Sequence, residues 1–353
     1  LKKIAYIELD THAEIARNFM DLMQDSNDFS VDYYFSKKIS KQIGQTADNI
    51  FVAESSDIFN ILKEKNYDLV IIGTVHRYFD VFLKISNKFN TSVIVHNLNF
   101  TKISRFQLLK NIFKKDFKYR LKLLLKEDLL SAPKVFENAR NLLVLDESLL
   151  KTNPQSKLKF LPVFFFKEYE INRKSIITIV IPGGVSQERR DYVHILKRIK
   201  DFKRKTHFQF VFLGKVVGKE LQWLKDFEND KIQNISFKYF TEKVPQPLFD
   251  EWMRKADILW CPLKKETEFF SQKEYYGITK MSGNIGDAIK HGKLAIFPEN
   301  YPNSHQFIIP ENKNIEEEIY TYHKWTEYDF EQNFTKEKVL KSLESTLAEL
   351  LKI

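Results

Sequence analysis

Short apolar runs rich in β-branched and aromatic residues alternate along the chain with longer stretches whose apolar residues recur every three or four positions. The first kind of run suits strands and the second suits amphipathic helices. In the first half the pattern predicts strands over residues 4–9, 31–35, 68–73, 92–96 and 142–145, and helices over 12–24, 55–65 and 78–89. Ala13, Ala16, Phe19, Met20 and Met23 carry the first helix, and a basic stretch after Asn99 predicts another. Residues 151–174, with Asn153-Pro154, Pro162 and clustered charges, break the alternation and read as an interdomain link. Strands then follow over 176–181, 208–213, 235–240, 257–261 and 293–297, with helices over 187–203, 219–227, 248–255 and 283–291. A strongly periodic helix over 336–351 closes the chain.

Strands alternating with helices argue for parallel sheets with helical crossovers. At 353 residues, the chain suits two domains of ~150 to 180 residues. The expected class is α/β, with two Rossmann-like doubly wound domains facing across a cleft. Their expected bounds are 1–165 and 166–335, with a C-terminal helix over 336–353. Such domains take ligands outside the carboxyl ends of their strands, where helix N-termini present free N–H groups.

Composition narrows this picture. With 43% hydrophobic residues and 31 Phe, the chain can fill two cores, which excludes a disordered protein. The single cysteine, Cys261, excludes a disulfide framework and sits in an apolar run that reads as a buried, inert thiol. No signal-peptide core follows the first residues, and no run approaches the ~18 apolar residues of a membrane span. The cytoplasm is the expected location.

Two stretches of the second half carry candidate phosphate chemistry. After the strand at 176–181 comes Pro182-Gly183-Gly184-Val185-Ser186-Gln187-Glu188-Arg189-Arg190. Gly183 and Gly184 let the backbone turn and approach a ligand, Ser186 is a candidate cap, and the Arg189–Arg190 pair offers a guanidinium to a diphosphate. The second stretch runs from Tyr276 through Lys280, Ser282, Gly283 and Asp287 to Gly292-Lys293. Ser282 and Gly283 stand at an expected helix start, Lys280 adds a compact positive charge, and Asp287 lies one turn on, where a carboxylate suits ribose hydroxyls.

These two stretches resemble the donor half of GT-B glycosyltransferases, the large bacterial nucleotide-sugar-dependent group that includes envelope polysaccharide enzymes. The resemblance rests on residues 183–190 and 274–298. Asp287-Ala288 ahead of Gly292-Lys293 matches the acidic-Ala pair that those enzymes set on the nucleotide ribose, with lysine in place of their usual proline. Glu274-Tyr275-Tyr276-Gly277 stands where they have Glu-x-Phe-Gly. The resemblance implies a metal-independent hexosyltransferase with a nucleotide-sugar as substrate and no cofactor. Residues 1–165 would then bind the acceptor and 166–335 the donor. The chain has no Asp-x-Asp pair, the metal clamp of the other major glycosyltransferase fold. Cationic side chains and a helix dipole would replace it at the leaving diphosphate.

Three histidines follow first-domain strands: His12, His76 and His96. An inverting transferase needs a base for the acceptor hydroxyl. His12 is the preferred base and Asp10 the second choice, the two sharing one loop, while His76, His96 and Asn97 are candidates for holding acceptor or sugar. Their wide spacing and the lack of a His-Glu-x-x-His pattern argue against a metal site.

Nearly all of the net charge of +9 sits in one stretch. Between residues 101 and 126 lie nine basic residues (Lys102, Arg105, Lys110, Lys114, Lys115, Lys118, Arg120, Lys122, Lys126) and one acid, Asp116. Phe100, Ile103, Phe106, Leu109, Ile112, Phe113 and Phe117 interleave with them, predicting a helix with an apolar and a cationic face. Such a helix suits an anionic membrane surface, and no nucleic-acid motif accompanies it. The expected function is sugar transfer to a glycan or lipid-linked acceptor in cell-envelope polysaccharide synthesis, peripheral on the inner face of the membrane. The alternatives are a degenerate, non-catalytic GT-B assembly partner and a nucleotide-sugar epimerase.

Overall fold

The chain alternates strand and helix from its start. It runs β1 (Lys2–Glu8), α1 (Ala13–Met23), β2 (Phe29–Phe35), α2 (Lys37–Ile43), β3 (Ile50–Val52), α3 (Ser55–Lys65), β4 (Leu69–Ile72), α4 (Phe79–Lys88), β5 (Thr91–Ile94) and α5 (Leu98–Thr101). Next come α6 (Arg105–Ile112), α7 (Phe117–Glu127), α8 (Ala132–Asn138), β6 (Asn141–Val144), α9 (Ser148–Thr152), β7 (Leu158–Phe160), β8 (Ile177–Pro182), α10 (Tyr192–Lys200), β9 (Phe208–Lys215) and α11 (Gly218–Asn229). The remainder is β10 (Ile235–Phe240), α12 (Gln246–Lys255), β11 (Ile258–Trp260), β12 (Glu266–Phe269), β13 (Gln272–Tyr275), α13 (Gly283–His291), β14 (Ala295–Phe297), β15 (Ile308–Pro310), α14 (Ile315–Trp325), α15 (Glu331–Phe334) and α16 (Lys336–Leu351). This computed structural model describes residues 1–154, 156–167, 176–203, 205–230, 232–302, 304–325 and 328–352. Residues 155 and 168–174 of the expected link lie outside the described residues.

The strands build two parallel sheets, ordered β3-β2-β1-β4-β5-β6-β7 and β10-β9-β8-β11-β14-β15, and β12 and β13 pair separately. In each sheet the strand order reverses beside the first strand, the doubly wound arrangement whose switch point faces ligands. The chain divides into two units. The first holds Leu1–Phe164, Glu268–Met281 and Lys336–Ile353, and the second holds Phe165–Thr267 and Ser282–Thr335.

Central strands are the most apolar. β4 and β8 bury every residue, as parallel strands covered on both faces must, while the edge strand β10 leaves all of its residues at least partly exposed. In the first unit β1 and β4–β6 pack against α3, α4 and α8 through residues such as Val70, Ile72, Phe82 and Val135. On the other side of β1 the Tyr6 ring stacks on Phe19 of α1 at 4.8 Å. The apolar stripe Val339, Leu343, Leu347 and Leu350 buries one face of α16, and Ser26 Oγ donates to Glu344 beside α1. The second unit uses its phenylalanines at period two: Phe208, Phe210 and Phe212 of β9 are buried against Phe202, Phe237 and Trp260.

The basic stretch differs from the single two-faced helix expected from its pattern. It forms two helices, α6 and α7, broken where Asp116 takes a left-handed φ of 51°. Leu108, Ile112 and Leu123 face the core, and Arg120 is buried among them. Phe106, Phe113, Phe117 and Leu125 stay exposed among the lysines. Periodicity could not show this, because two short helices divide the apolar residues between a core side and an outer side.

Candidate functional site

In the first unit the carboxyl ends of β1, β4 and β5 bring three histidines together. The imidazoles of His12 and His96 stack with ring centres 3.7 Å apart, and His76 stands edge-on to them at 6.2 and 6.0 Å. Burial lowers the His76 pKa to about 3, with His12 and Lys280 adding repulsion. Burial and the same charged neighbours push His96 well below its ordinary range, although its Nε2 donates to Gly73 O at 3.1 Å. Both rings are therefore neutral near pH 7. His12 Nδ1 donates to Glu14 Oε1 at 3.0 Å, so the acid beside this imidazole is Glu14. Asp10, the second-choice base, accepts from Lys38 through its carbonyl at 2.6 Å, with the ammonium 3.9 Å from its carboxylate.

Glu8, unmarked by the sequence pattern, lies fully buried beneath this loop. Its carboxyl accepts from Thr74 Oγ1 at 2.6 Å and from the amides of Asp10 and Thr11 at 2.9 and 3.2 Å. Burial outweighs these bonds and raises its pKa. Gly73 leaves room for it: a Cβ there would stand 2.7 Å from Glu8 Oε2.

The β12–β13 hairpin and the turn after it hold the loop that carries His96 and Asn97. Glu274, fully buried, accepts from the amides of Asn99 and Phe100 at 3.2 and 2.9 Å. Leu98 N donates to Thr279 O at 2.9 Å. Lys280 Nζ donates to Asn97 Oδ1 at 2.7 Å and lies 3.4 Å from His96 O. The sequence reading grouped Lys280 with Ser282 and Gly283, but its ammonium belongs to the first unit, as does the Glu274-to-Gly277 stretch. At the hairpin tip Phe270 and Ser271 both have positive φ. Arg120 bonds Ser271 Oγ at 2.8 Å and Asn111 O at 2.5 Å, fastening α6 and α7 to this loop. Arg77 and Tyr78 N hold Glu127 at the far end of α7.

The second unit gathers its polar groups at the ends of β8 and β11. Gly183 has φ +101°, and a Cβ there would meet the Arg190 guanidinium at 2.5 Å. Arg190 donates to Gly184 O at 3.3 Å and to Asn284 Oδ1 at 3.2 Å. Asn284 Nδ2 reaches Asp287 Oδ2 at 3.2 Å and Pro182 O at 3.4 Å. Ser282 caps α13, its hydroxyl accepting from Asn284 N at 3.3 Å, and Gly283 opens the helix, exposed. Gly183, Gly184, Ser282, Gly283 and Asp287 thus share one neighbourhood, joined through Arg190 and Asn284.

Arg189 stands apart from this neighbourhood. It is exposed in the turn closed by Ser186 O, and its neighbour Arg190 reaches the glycines. The reason is that α10 begins at Tyr192, later than the expected residue 187, with Asp191 as its cap in place of Ser186. Asn284 gave no signal in the sequence beyond following Ser282-Gly283. Burial raises the Cys261 thiol pKa, in keeping with an inert core residue.

Among the described residues no group of three His, Cys, Asp or Glu side chains is set to hold a metal ion, and no helix is long and apolar enough to cross a membrane. What these two neighbourhoods offer is a set of anion donors at a helix N-terminus in one unit and a partly exposed imidazole backed by neutral ones in the other.

No family model and no curated protein sequence matches the chain. Solved structures do. The Anabaena HepE protein in complex with UDP is similar over 99% of this chain and 100% of its own, with a TM-score of 0.62 at 10% identity. The lipopolysaccharide outer core galactosyltransferase WaaB is similar over 98% of this chain and 99% of its own, with a TM-score of 0.58 at 12% identity. The UDP-GlcNAc 2-epimerase from Neisseria meningitidis, bound to UDP-GlcNAc, is similar over 98% of this chain and 100% of its own, with a TM-score of 0.53 at 12% identity. At such identities the likeness speaks for the fold alone, and it agrees with the two parallel sheets: the chain has the GT-B fold, built from two Rossmann-like domains.

Proposed function

We propose that this protein is a glycosyltransferase that moves a hexose from a nucleotide-sugar to a hydroxyl of a glycan or lipid-linked acceptor, in cell-envelope polysaccharide synthesis. The observation that carries this reading is the linked set Gly183, Arg190, Asn284 and Asp287 beside the N-terminus of α13. The donor diphosphate would lie on the amides of Ser282 and Gly283 and on the Arg190 guanidinium. Helix N-termini favour anions, and planar guanidinium suits phosphate oxygens. Asp287 would accept from the ribose hydroxyls.

On the acceptor side, His12 is the base. Glu14 holds Nδ1, which leaves Nε2 to take the acceptor proton. The acceptor oxygen forms its bond to the anomeric carbon while the bond to the diphosphate breaks, the diphosphate leaving with the electron pair. His76, His96 and the Lys280–Asn97 pair supply hydrogen bonds to acceptor or sugar. The chemistry needs no resident cofactor, and the enzyme works from the cytoplasm against the inner face of the membrane.

A second reading, a nucleotide-sugar epimerase, is favoured by one observation: 2-epimerases are among the proteins that share the fold. It predicts conversion of the donor with no acceptor present.

The first test is thermal stability of the purified protein with UDP, GDP, ADP, CMP and their sugar conjugates, one at a time. A ligand at a hundred times its Kd adds ~2.7 kcal/mol, which moves the midpoint by several degrees at this size. The reading expects a shift with one nucleotide class, lost in Arg190→Ala. No shift with any nucleotide in a folded protein would overturn it in favour of a non-catalytic assembly partner.

A further inference from the structure

Eleven large apolar side chains are exposed among the described residues, and six of them fall between residues 106 and 125. They are Phe106, Leu109, Phe113, Phe117, Tyr119 and Leu125, with Phe106 78% exposed, Phe113 70% and Leu125 74%. The rings of Phe113 and Phe117 stack on each other at 5.5 Å where α6 passes into α7. Packing within the fold does not account for them, because Leu108, Ile112 and Leu123 already supply the buried side of the same two helices. Exposed apolar side chains gathered in this way mark a surface that meets something.

The charges around them say what it meets. Of the nine basic residues between 101 and 126, Arg120 alone is buried; the other eight are exposed, against one exposed acid, Asp116. One of the eight, Lys115, pairs with Glu268 at 3.3 Å. A protein partner would need a matching acidic and apolar face. An anionic bilayer supplies both at once, with phosphates for the ammonium groups and acyl chains for the rings.

We propose that α6, α7 and the turn between them form a docking surface for an anionic lipid bilayer, with Phe106, Phe113, Phe117 and Leu125 entering the interface and the lysines lying at the headgroups. Docking requires neither donor nor acceptor, so it stands or falls apart from the transferase reading. The surface is also fastened to the histidine cluster's loops, by Arg120 to the hairpin tip and by Glu127 to Arg77. A docked molecule therefore holds His76 and His96 at a fixed distance from the lipid.

The test is co-sedimentation of the whole protein with vesicles of phosphatidylcholine alone and of phosphatidylcholine mixed with phosphatidylglycerol. The expected result is binding to the mixed vesicles only, weakened by salt. Lys114→Glu with Lys118→Glu should lower that binding by roughly tenfold or more, as headgroup attraction scales with each surface charge. Phe113→Ser with Phe117→Ser should lower it comparably, while both double variants keep the wild-type melting temperature because the replaced side chains are exposed. Wild-type binding by either double variant would overturn the proposal, as would no binding to mixed vesicles by the wild type. Concentration-dependent dimerisation that Phe113→Ser with Phe117→Ser abolishes, without vesicle binding, would overturn it in favour of a second copy.

Discussion

His12 and His96 lie face to face, their ring centres 3.7 Å apart and their planes 18° from parallel. Two protonated imidazoles would repel at this distance. Burial holds His96 neutral, and on the proposed mechanism the acceptor proton goes to His12. Replacing His12 with Gln should reduce transfer by roughly 10²- to 10⁴-fold, the usual contribution of a general base, with little change in nucleotide binding. Transfer rates and nucleotide Kd measured on the same preparation check this.

His76 sets a stability window. Its folded pKa, about 3, lies below the unfolded value of ~6.5. The unfolded chain then binds the extra proton, so stability is fully present above the unfolded value and falls as pH drops through the window. His76→Gln should lessen the loss of stability between neutral pH and the acid range. Urea midpoints at a series of pH values read this directly, and parallel curves for both proteins would contradict the burial of the ring.

Gly73 has no space for a side chain. Its Cβ would meet Glu8 Oε2 at 2.7 Å and Tyr6 Oη at 3.1 Å, both fixed in a buried cluster. Gly73→Ala should destabilise the protein by about 1–3 kcal/mol through overpacking. Urea unfolding at neutral pH measures it.

Arg190 should not be replaceable by lysine. Its guanidinium spans Gly184 O and Asn284 Oδ1 while lying against Gly183, and an ammonium cannot hold that planar geometry. Arg190→Lys and Arg190→Ala should both weaken nucleotide binding by roughly ten- to a hundredfold, the worth of a charged hydrogen bond or two. Arg189→Ala, on an exposed side chain, should leave binding near wild type. Titration calorimetry with the nucleotide found by thermal shift separates the two arginines.

Arg120 is the buried cation whose loss should loosen the α6–α7 pair. It bonds Asn111 O and Ser271 Oγ and lies over the Phe270 ring. Arg120→Met keeps apolar volume but removes the donor to Ser271 Oγ and one of the donors to Asn111 O, which Lys114 N also reaches, at a cost of about 1–3 kcal/mol. Thermal unfolding reads the loss, and amide exchange should rise first in α6 and the hairpin.

The alternation of strands and helices announces two parallel sheets, because a central strand needs a long apolar run and a crossover needs an amphipathic one. The histidines and the Pro182-Gly183-Gly184 turn stand out for a related reason: strand ends are visible in a sequence. Glu8 was hidden inside the apolar run of β1, where a polar residue reads as solvent-facing, and the hydroxyl that bonds its carboxyl, that of Thr74, lies far along the chain. The hairpin was hidden too, since its turn is Phe270-Ser271, both with positive φ and neither a usual residue for it. Its partners, Asn99, Phe100 and Asn111, lie more than 150 positions away. The choice between Arg189 and Arg190 turned on where α10 begins, a detail that periodicity does not resolve.

The first unit is assembled from three separate stretches of chain and the second from two. Neither is a cassette. A gene fragment ending near residue 164 would encode a sheet whose α5 lacks the Glu274 carboxylate and whose α1 lacks its neighbour α16. A single junction there would therefore part the first unit from its own hairpin and from its closing helix.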